Sequence, residues 1–337
     1  MGSYMRPDSP HPPVAQHPVG PDEAAGASHR PRAGARMMKR SPAATLVASV
    51  AALVAAASIA VATSDRTVAR PDRTLAASGS RGTGRPRVSS AVPTIALPPG
   101  FAAIATYSKP VKDYEFSGSE LPADWSATRD YSFGDQATEF QPSQVRLTGT
   151  SVAFTAISRS TWPGLPYTSG AISTAGGFFL QHGLIDFRAK VPVGQGLWSG
   201  LWLDQVNDSN PSGEIDVAEM LLGDSHTVYG SLHSWAPSLW GETQQTRMAA
   251  DASQGFHDYQ VIWQPGMVTW AIDGAAYAQY TKAQALAAGR PWPFDDTGGY
   301  FLIADLAVAA ATEWGGGPNS STVLPATMQV QSIRIWR

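Results

Sequence analysis

The chain has 337 residues, 43% of them hydrophobic, enough for one large β domain or two ordinary ones with a substantial core. A formal charge of -3, with no dense block of Lys or Arg beside exposed aromatics, argues against a nucleic-acid partner and for a neutral or polar one. Cysteine is absent, which excludes a disulfide framework, a thiolate metal site and a cysteine nucleophile.

Residues 1–35 are rich in Pro, Ala, Gly and His without apolar periodicity and are predicted to be disordered, since they bury too little to offset the entropy of ordering. Residues 36–62 then run from a basic patch, Arg36, Lys39 and Arg40, into an uncharged Ala- and Val-rich stretch from Ala43 to Ala62. That pattern reads as an export signal, with Met37 or Met38 a suitable start and Ala60-Val61-Ala62 a small-x-small cleavage site. Roughly twenty uncharged residues would also serve as a membrane anchor, so residues 43–62 leave secretion and anchoring both open. Residues 63–108 are rich in Pro, Gly, Ser and Arg and read as a linker.

From about residue 109 the texture becomes short apolar runs punctuated by Gly, Pro, Asn and Asp, which is the texture of β structure. In order, the predicted strands are QVRLTGTSVAFTAIS, GLIDFRAKVP, LWSGLWLDQ, EIDVAEM, TVYGSLHSW, HDYQVIWQPGMVTWAIDG, GYFLIADLAVA and ATMQVQSIRIWR. In the sixth, QPG joins two alternating runs and predicts a hairpin. The good helical segment is short, TKAQALAAG. Many antiparallel strands without βα alternation predict, over residues 109–337, an all-β sandwich of two antiparallel sheets of jelly-roll type.

SGEIDVAEM places Glu214, Asp216 and Glu219 in an otherwise apolar strand. Alternation puts Glu214 and Asp216 on one face, and Glu219 has the wrong parity. A β-bulge at Val217-Ala218 would restore it. Crowding three carboxylates costs stability unless a metal ion neutralises them or acid/base chemistry uses their raised proton affinities. The spacing favours glycoside hydrolysis, because leaning side chains would bring Glu214 and Glu219 to about 5 to 5.5 Å, the separation of a retaining pair.

GEIDVAEM resembles the active-site strand of glycoside hydrolase family 16 in its bulged E-x-D-x-x-E form, that of laminarinase-like β-1,3-glucanases and relatives such as agarases. YTSGAISTAGGFFLQHGLIDFRAKVPVGQGLWSGLWL, FHDYQVIWQPGMVTWAIDG, YFLIADLAVA and LPATMQVQSIRIWR resemble further segments of that family in order. The resemblance implies a jelly-roll sandwich with Glu214 as nucleophile, Glu219 as general acid/base and Asp216 assisting. It implies a polysaccharide substrate and no cofactor in the chemistry, and a monomer is the expected state. His233 matches the histidine beside the acid/base, and Trp198 a cleft tryptophan. Trp235 and Trp240 are candidates to line subsites, whereas Trp202, Trp263 and Trp270 read as core. Many relatives hold a structural calcium, for which Glu115 matches one ligand while Gln331 stands where Asp is usual. Asp305 likewise occupies a position where the family usually has Asn.

Overall fold

The computed structural model describes residues 91–128, 136–159, 164–205, 212–236, 239–295 and 298–337, residues 235 and 236 by their backbone alone. The disordered tract 1–35, the export or anchor segment 36–62 and the first part of the linker lie outside the described residues. Among the described residues no helix is long and apolar enough to cross a membrane.

In chain order the elements are β1 (Pro110–Glu115), β2 (Ser126–Ala127), β3 (Thr138–Phe140), β4 (Val145–Leu147), β5 (Val152–Ala156), β6 (Tyr167–Ser169), β7 (Ala171–Ser173), β8 (Gly183–Lys190), β9 (Leu197–Gln205), β10 (Ser212–Leu221), β11 (Thr227–Ala236), β12 (Trp240–Arg247), β13 (His257–Gln264), β14 (Met267–Ile272), β15 (Ala275–Thr281), helix α1 (Lys282–Ala287), β16 (Tyr300–Val308) and β17 (Ala326–Trp336). They build the expected two-sheet, jelly-roll-like sandwich. An eight-stranded sheet runs β15-β14-β13-β8-β17-β5-β4 with β1 also paired to β17, and a seven-stranded sheet runs β12-β11-β10-β9-β16-β7-β2. Strands β3 and β6 form a small parallel pair.

Alternation along the strands supplies the core. Ile185 and Phe187 of β8 and Tyr259, Val261 and Trp263 of β13 face Leu201 and Leu203 of β9 and Leu302 and Leu306 of β16, all buried in one cluster. Each such side chain contributes about 1.5–3 kcal/mol on burial. The predicted hairpin turns at Pro265-Gly266, with Gly266 at φ 74. Asp273 and Gly274, at φ 49 and 78, make the next turn, the two positive values that a tight two-residue hairpin of the favoured hand requires. Thr281 caps α1, its hydroxyl accepting from the Gln284 backbone while the Gln284 side chain reaches back.

From residue 91 the stretch read as a linker is instead packed on the domain. Val92, Ile95, Ile104 and Tyr107 lie against Leu184, Ile262 and Trp336, on the face of the eight-stranded sheet turned away from the core. Backbone and side-chain groups of this strap are hydrogen-bonded to the sheet. Ala105 N–H donates to Gln264 Oε1 at 2.7 Å, Ala102 N–H to Gln279 Oε1 at 2.8 Å, and Tyr107 Oη to the Trp263 carbonyl at 2.8 Å. Pro-rich composition masked four spaced apolar residues, so the folded unit begins earlier than residue 109.

Candidate active site

Strand β10 lies between β9 and β11, and its ladder breaks on both sides at one place. Against β11, Glu214 faces His233 and Asp216 faces Ser231, but the next aligned pair is Glu219 with Tyr229. Against β9, Asp216 faces Trp202, and the next pair is Ala218 with Leu201. The anticipated bulge is therefore present at Val217-Ala218. Both of those side chains enter the core cluster, and Glu219 emerges on the face that carries Glu214 and Asp216. The Asp216 carbonyl, where regular pairing stops, accepts from Trp270 Nε1 at 2.7 Å.

Each carboxylate has its own surroundings. Glu219 Oε1 accepts from Trp198 Nε1 at 3.2 Å and Oε2 from Ser231 Oγ at 3.1 Å. His233 Nε2 stands 3.3 Å from Asp216 Oδ2 and 4.0 Å from Glu214 Oε1, ion-pair distances when the imidazole is protonated. Asp216 is 3% exposed. Burial pushes all three carboxyls above the usual range, Glu214 and Asp216 well above. Neighbouring charge adds to this, Asp216 acting on Glu214, and Glu219 on Asp216. For Glu219, His233 and the bonds from Ser231 and Trp198 oppose the rise. Burial and mutual repulsion thus both favour the protonated forms of these carboxyls over their charged ones.

Two more acids belong to this face. Asp204 of β9 lies opposite Glu214. Asp305 of β16 is paired with Gly200, which is itself opposite Glu219. A Cβ on Gly200 would lie 2.7 Å from Asp305 Oδ1, so the glycine leaves the space into which that carboxyl leans. Trp202 Nε1 donates to Asp305 Oδ1 at 2.9 Å. Trp202 is thus not the core residue the sequence suggested. It shares the parity of Trp198, Gly200 and Asp204 along β9, an alternation that could have revealed it.

Trp198 and His233 stand at the carboxylates. Trp240 does not line the site. It is 8% exposed in the core, edge-on to Phe294 at 6.0 Å and under the Arg290 guanidinium at 5.5 Å. Its partners are distant in sequence, which hid its inward orientation. Trp235 lies in β11, and its side chain is outside the described residues. Trp263 and Trp270 are fully buried, as expected. Sequence reasoning missed Ser231, Tyr229 and Trp314. Trp314 follows β16 in a segment without strand periodicity and meets Trp198 edge-on at 5.8 Å and Tyr229 at 4.5 Å. Beside Tyr229 and Trp314 opens a cavity of about 220 Å³, lined also by Gln195, Leu221 and Asp224.

Glu214, Asp216 and His233 each bring a ligand atom within 4.8 Å of the others, so among the described residues this group could hold a cation. The expected calcium ligand fares differently. Glu115 accepts from Arg334, whose side chain is 5% exposed, and Asp113 Oδ1 accepts from the same guanidinium at 3.1 Å. Gln331 Oε1 accepts from Arg188 at 2.9 Å. With guanidinium groups already on these oxygens, the donor set at this place does not fit a calcium ion.

The profile of Glycosyl hydrolases family 16 matches residues 123–301, more than half of the chain. Glucan endo-1,3-beta-glucosidase A1 of Niallia circulans is 34% identical over 185 residues, 51% of this chain and 26% of that protein. The chain thus spans about a quarter of that relative's length. Beta-glucanase of Rhodothermus marinus is 26% identical over 242 residues, 67% of this chain and 83% of that one. The laminarinase catalytic domain from Thermotoga maritima has 28% sequence identity and a TM-score of 0.62, covering 68% of this chain and 98% of that one. The bulged carboxylate strand lies inside the matched region, in the same two-sheet frame, and the chain belongs to glycosyl hydrolase family 16.

Proposed function

We propose that the chain is a retaining endo-β-glycosidase that hydrolyses β-1,3-glucan through a glycosyl-enzyme intermediate. The observation that carries this reading is the bulge that sets Glu219 on the face of Glu214 and Asp216, with Trp198 and Ser231 bonded to it. In its carboxylate form, which the facing His233 favours, Glu214 attacks the anomeric carbon as the bond to the leaving oxygen breaks. Glu219, whose burial favours the protonated form, gives its proton to that oxygen. A water molecule then gives a proton to Glu219 and its oxygen to the anomeric carbon, releasing Glu214 and restoring both carboxyls. Asp216 raises and His233 lowers the proton affinity of Glu214, so the two neighbours tune it between these states. Similarity to the Niallia and Thermotoga proteins supports the β-1,3 linkage, and the aromatic group of Trp198, Tyr229 and Trp314 beside Glu219 supports a sugar-binding face.

The test is incubation with laminarin, lichenan, agarose and xyloglucan, sizing the products and following the anomer first released by NMR. Shortened β-linked oligosaccharides from laminarin are expected. Glu214→Gln is expected to lower kcat on the order of 10⁴-fold or more while laminarin binding persists. A wild-type chain that binds laminarin without shortening it overturns the reading in favour of a binding module, and first-formed α-anomers overturn retention. Activity lost to a chelator and restored by a divalent ion would instead assign Glu214, Asp216 and His233 to a metal. A polymeric substrate fits the export expected from residues 43–62. N-terminal sequencing of exported protein tests cleavage after Ala62, and recovery in the membrane fraction would point to an anchor.

A further inference from the structure

A bulge takes a residue out of the ladder and leaves backbone groups that need other partners. At Asp216, the last residue before the bulge that is in register with both β9 and β11, the carbonyl is met from across the core. The donor is the indole of Trp270, a fully buried residue of β14 in the opposite sheet. Its seat is Gly230, the residue between Tyr229, which faces Glu219, and Ser231, which donates to Glu219. A Cβ at Gly230 would lie 2.4 Å from Trp270 Cδ1 and 2.6 Å from Nε1, with Tyr277 Oη at 2.7 Å. The indole reaches the carbonyl only because residue 230 has no side chain.

We propose that Trp270 is a positioning residue whose N–H, seated against Gly230, holds the bulge in the conformation that keeps Glu219 on the face of Glu214. It touches no reacting atom and acts through the Asp216 carbonyl. Without the donor that carbonyl loses a hydrogen bond from the apolar core, and the strand gains by shifting one residue toward regular pairing. Such a shift carries Glu219 toward the interior. The inference rests on reading Glu219 as the acid that protonates the leaving oxygen.

The experiment uses the full chain and Trp270→Phe, which keeps an aromatic ring and removes the donor. Two substrates are compared: laminarin, and a laminari-oligosaccharide with a 2,4-dinitrophenolate leaving group, which departs without a proton. At a temperature well below the variant's measured Tm, kcat/KM on laminarin is expected to fall on the order of 10- to 100-fold, and kcat/KM on the activated glycoside, which reports the first displacement alone, by less than about 3-fold. Gly230→Ala, which keeps the donor but crowds it, is expected to show the same divergence. Equal losses on both substrates, or unchanged laminarin turnover in folded Trp270→Phe, overturn the proposal. So does failure of both variants to fold, since Trp270 would then be a packing residue. If the wild-type chain cleaves the activated glycoside but not laminarin, the functional reading fails instead, and that outcome is visible before any variant is made.

Discussion

Asp305 is 3% exposed and bonded to Trp202, and it is paired with Gly200, the residue opposite Glu219. Burial raises its carboxyl from 3.8 to about 7, and the charge of Glu219 adds to the rise. The folded chain therefore binds this proton more tightly than the unfolded chain does. The resulting stabilisation is complete below the unfolded value near 3.8 and is lost as pH rises through about 7. Asp305→Asn keeps an acceptor for Trp202 and removes the ionisation. Its Tm is expected to fall less than that of the wild type between about pH 4 and pH 8, with a gain on the order of 2 kcal/mol at pH 8. Parallel Tm curves from scanning calorimetry would refute this. Glu214, Asp216 and Glu219 were legible as a cluster because their spacing conflicts with an apolar strand. Asp305 sits among apolar residues of β16 with no comparable pattern, and its relation to Glu219 depends on a glycine in a third strand.

At the scale of elements, the strap over residues 91–108 shows how composition and packing can disagree. Its Pro and Gly content reads as a spacer, yet Ile95, Ile104 and Tyr107 cover Trp336, Leu184 and Ile262. Ile104→Ala is expected to destabilise the domain by about 1–2 kcal/mol, the loss for a partly buried side chain. Urea unfolding checks the magnitude, and a change within about 0.5 kcal/mol, as at ordinary surface sites, would show that the strap contributes nothing. Strands with strong alternation, β8 to β11, β13, β14, β16 and β17, were legible because one face of each is apolar. Strand β12 was not, since Thr and Gln fill a sheet edge whose outer rim has no partner strand among the described residues. Strand β15 was hidden by alanines, which carry little β preference.

For the whole molecule, the two-sheet frame followed from alternation, turn residues and the missing helices, whereas the ion pairs on the eight-stranded sheet were beyond sequence reasoning. They depend on register between β1 and β17, which brings Asp113 opposite Arg334. The buried Arg334 guanidinium binds Asp113 and Glu115 where calcium was expected. Chelator is therefore expected to leave Tm unchanged, and Arg334→Ala to cost about 1–2 kcal/mol, chiefly through the lost packing of a buried side chain, because the two carboxylates left behind reach solvent. A Tm that drops with chelator and recovers with calcium would reinstate the cation. The pH dependence of unfolding carries a second contribution here, since Asp186, opposite Arg334 on β8, is raised to about 7, mainly by burial. It acts in the same direction as Asp305.

The strap and the catalytic carboxylates lie on opposite outer faces of the sandwich, Val92, Ile95, Ile104 and Tyr107 on the eight-stranded sheet and Glu214 and Glu219 on the seven-stranded one. A saccharide chain bound over those carboxylates therefore runs clear of the strap.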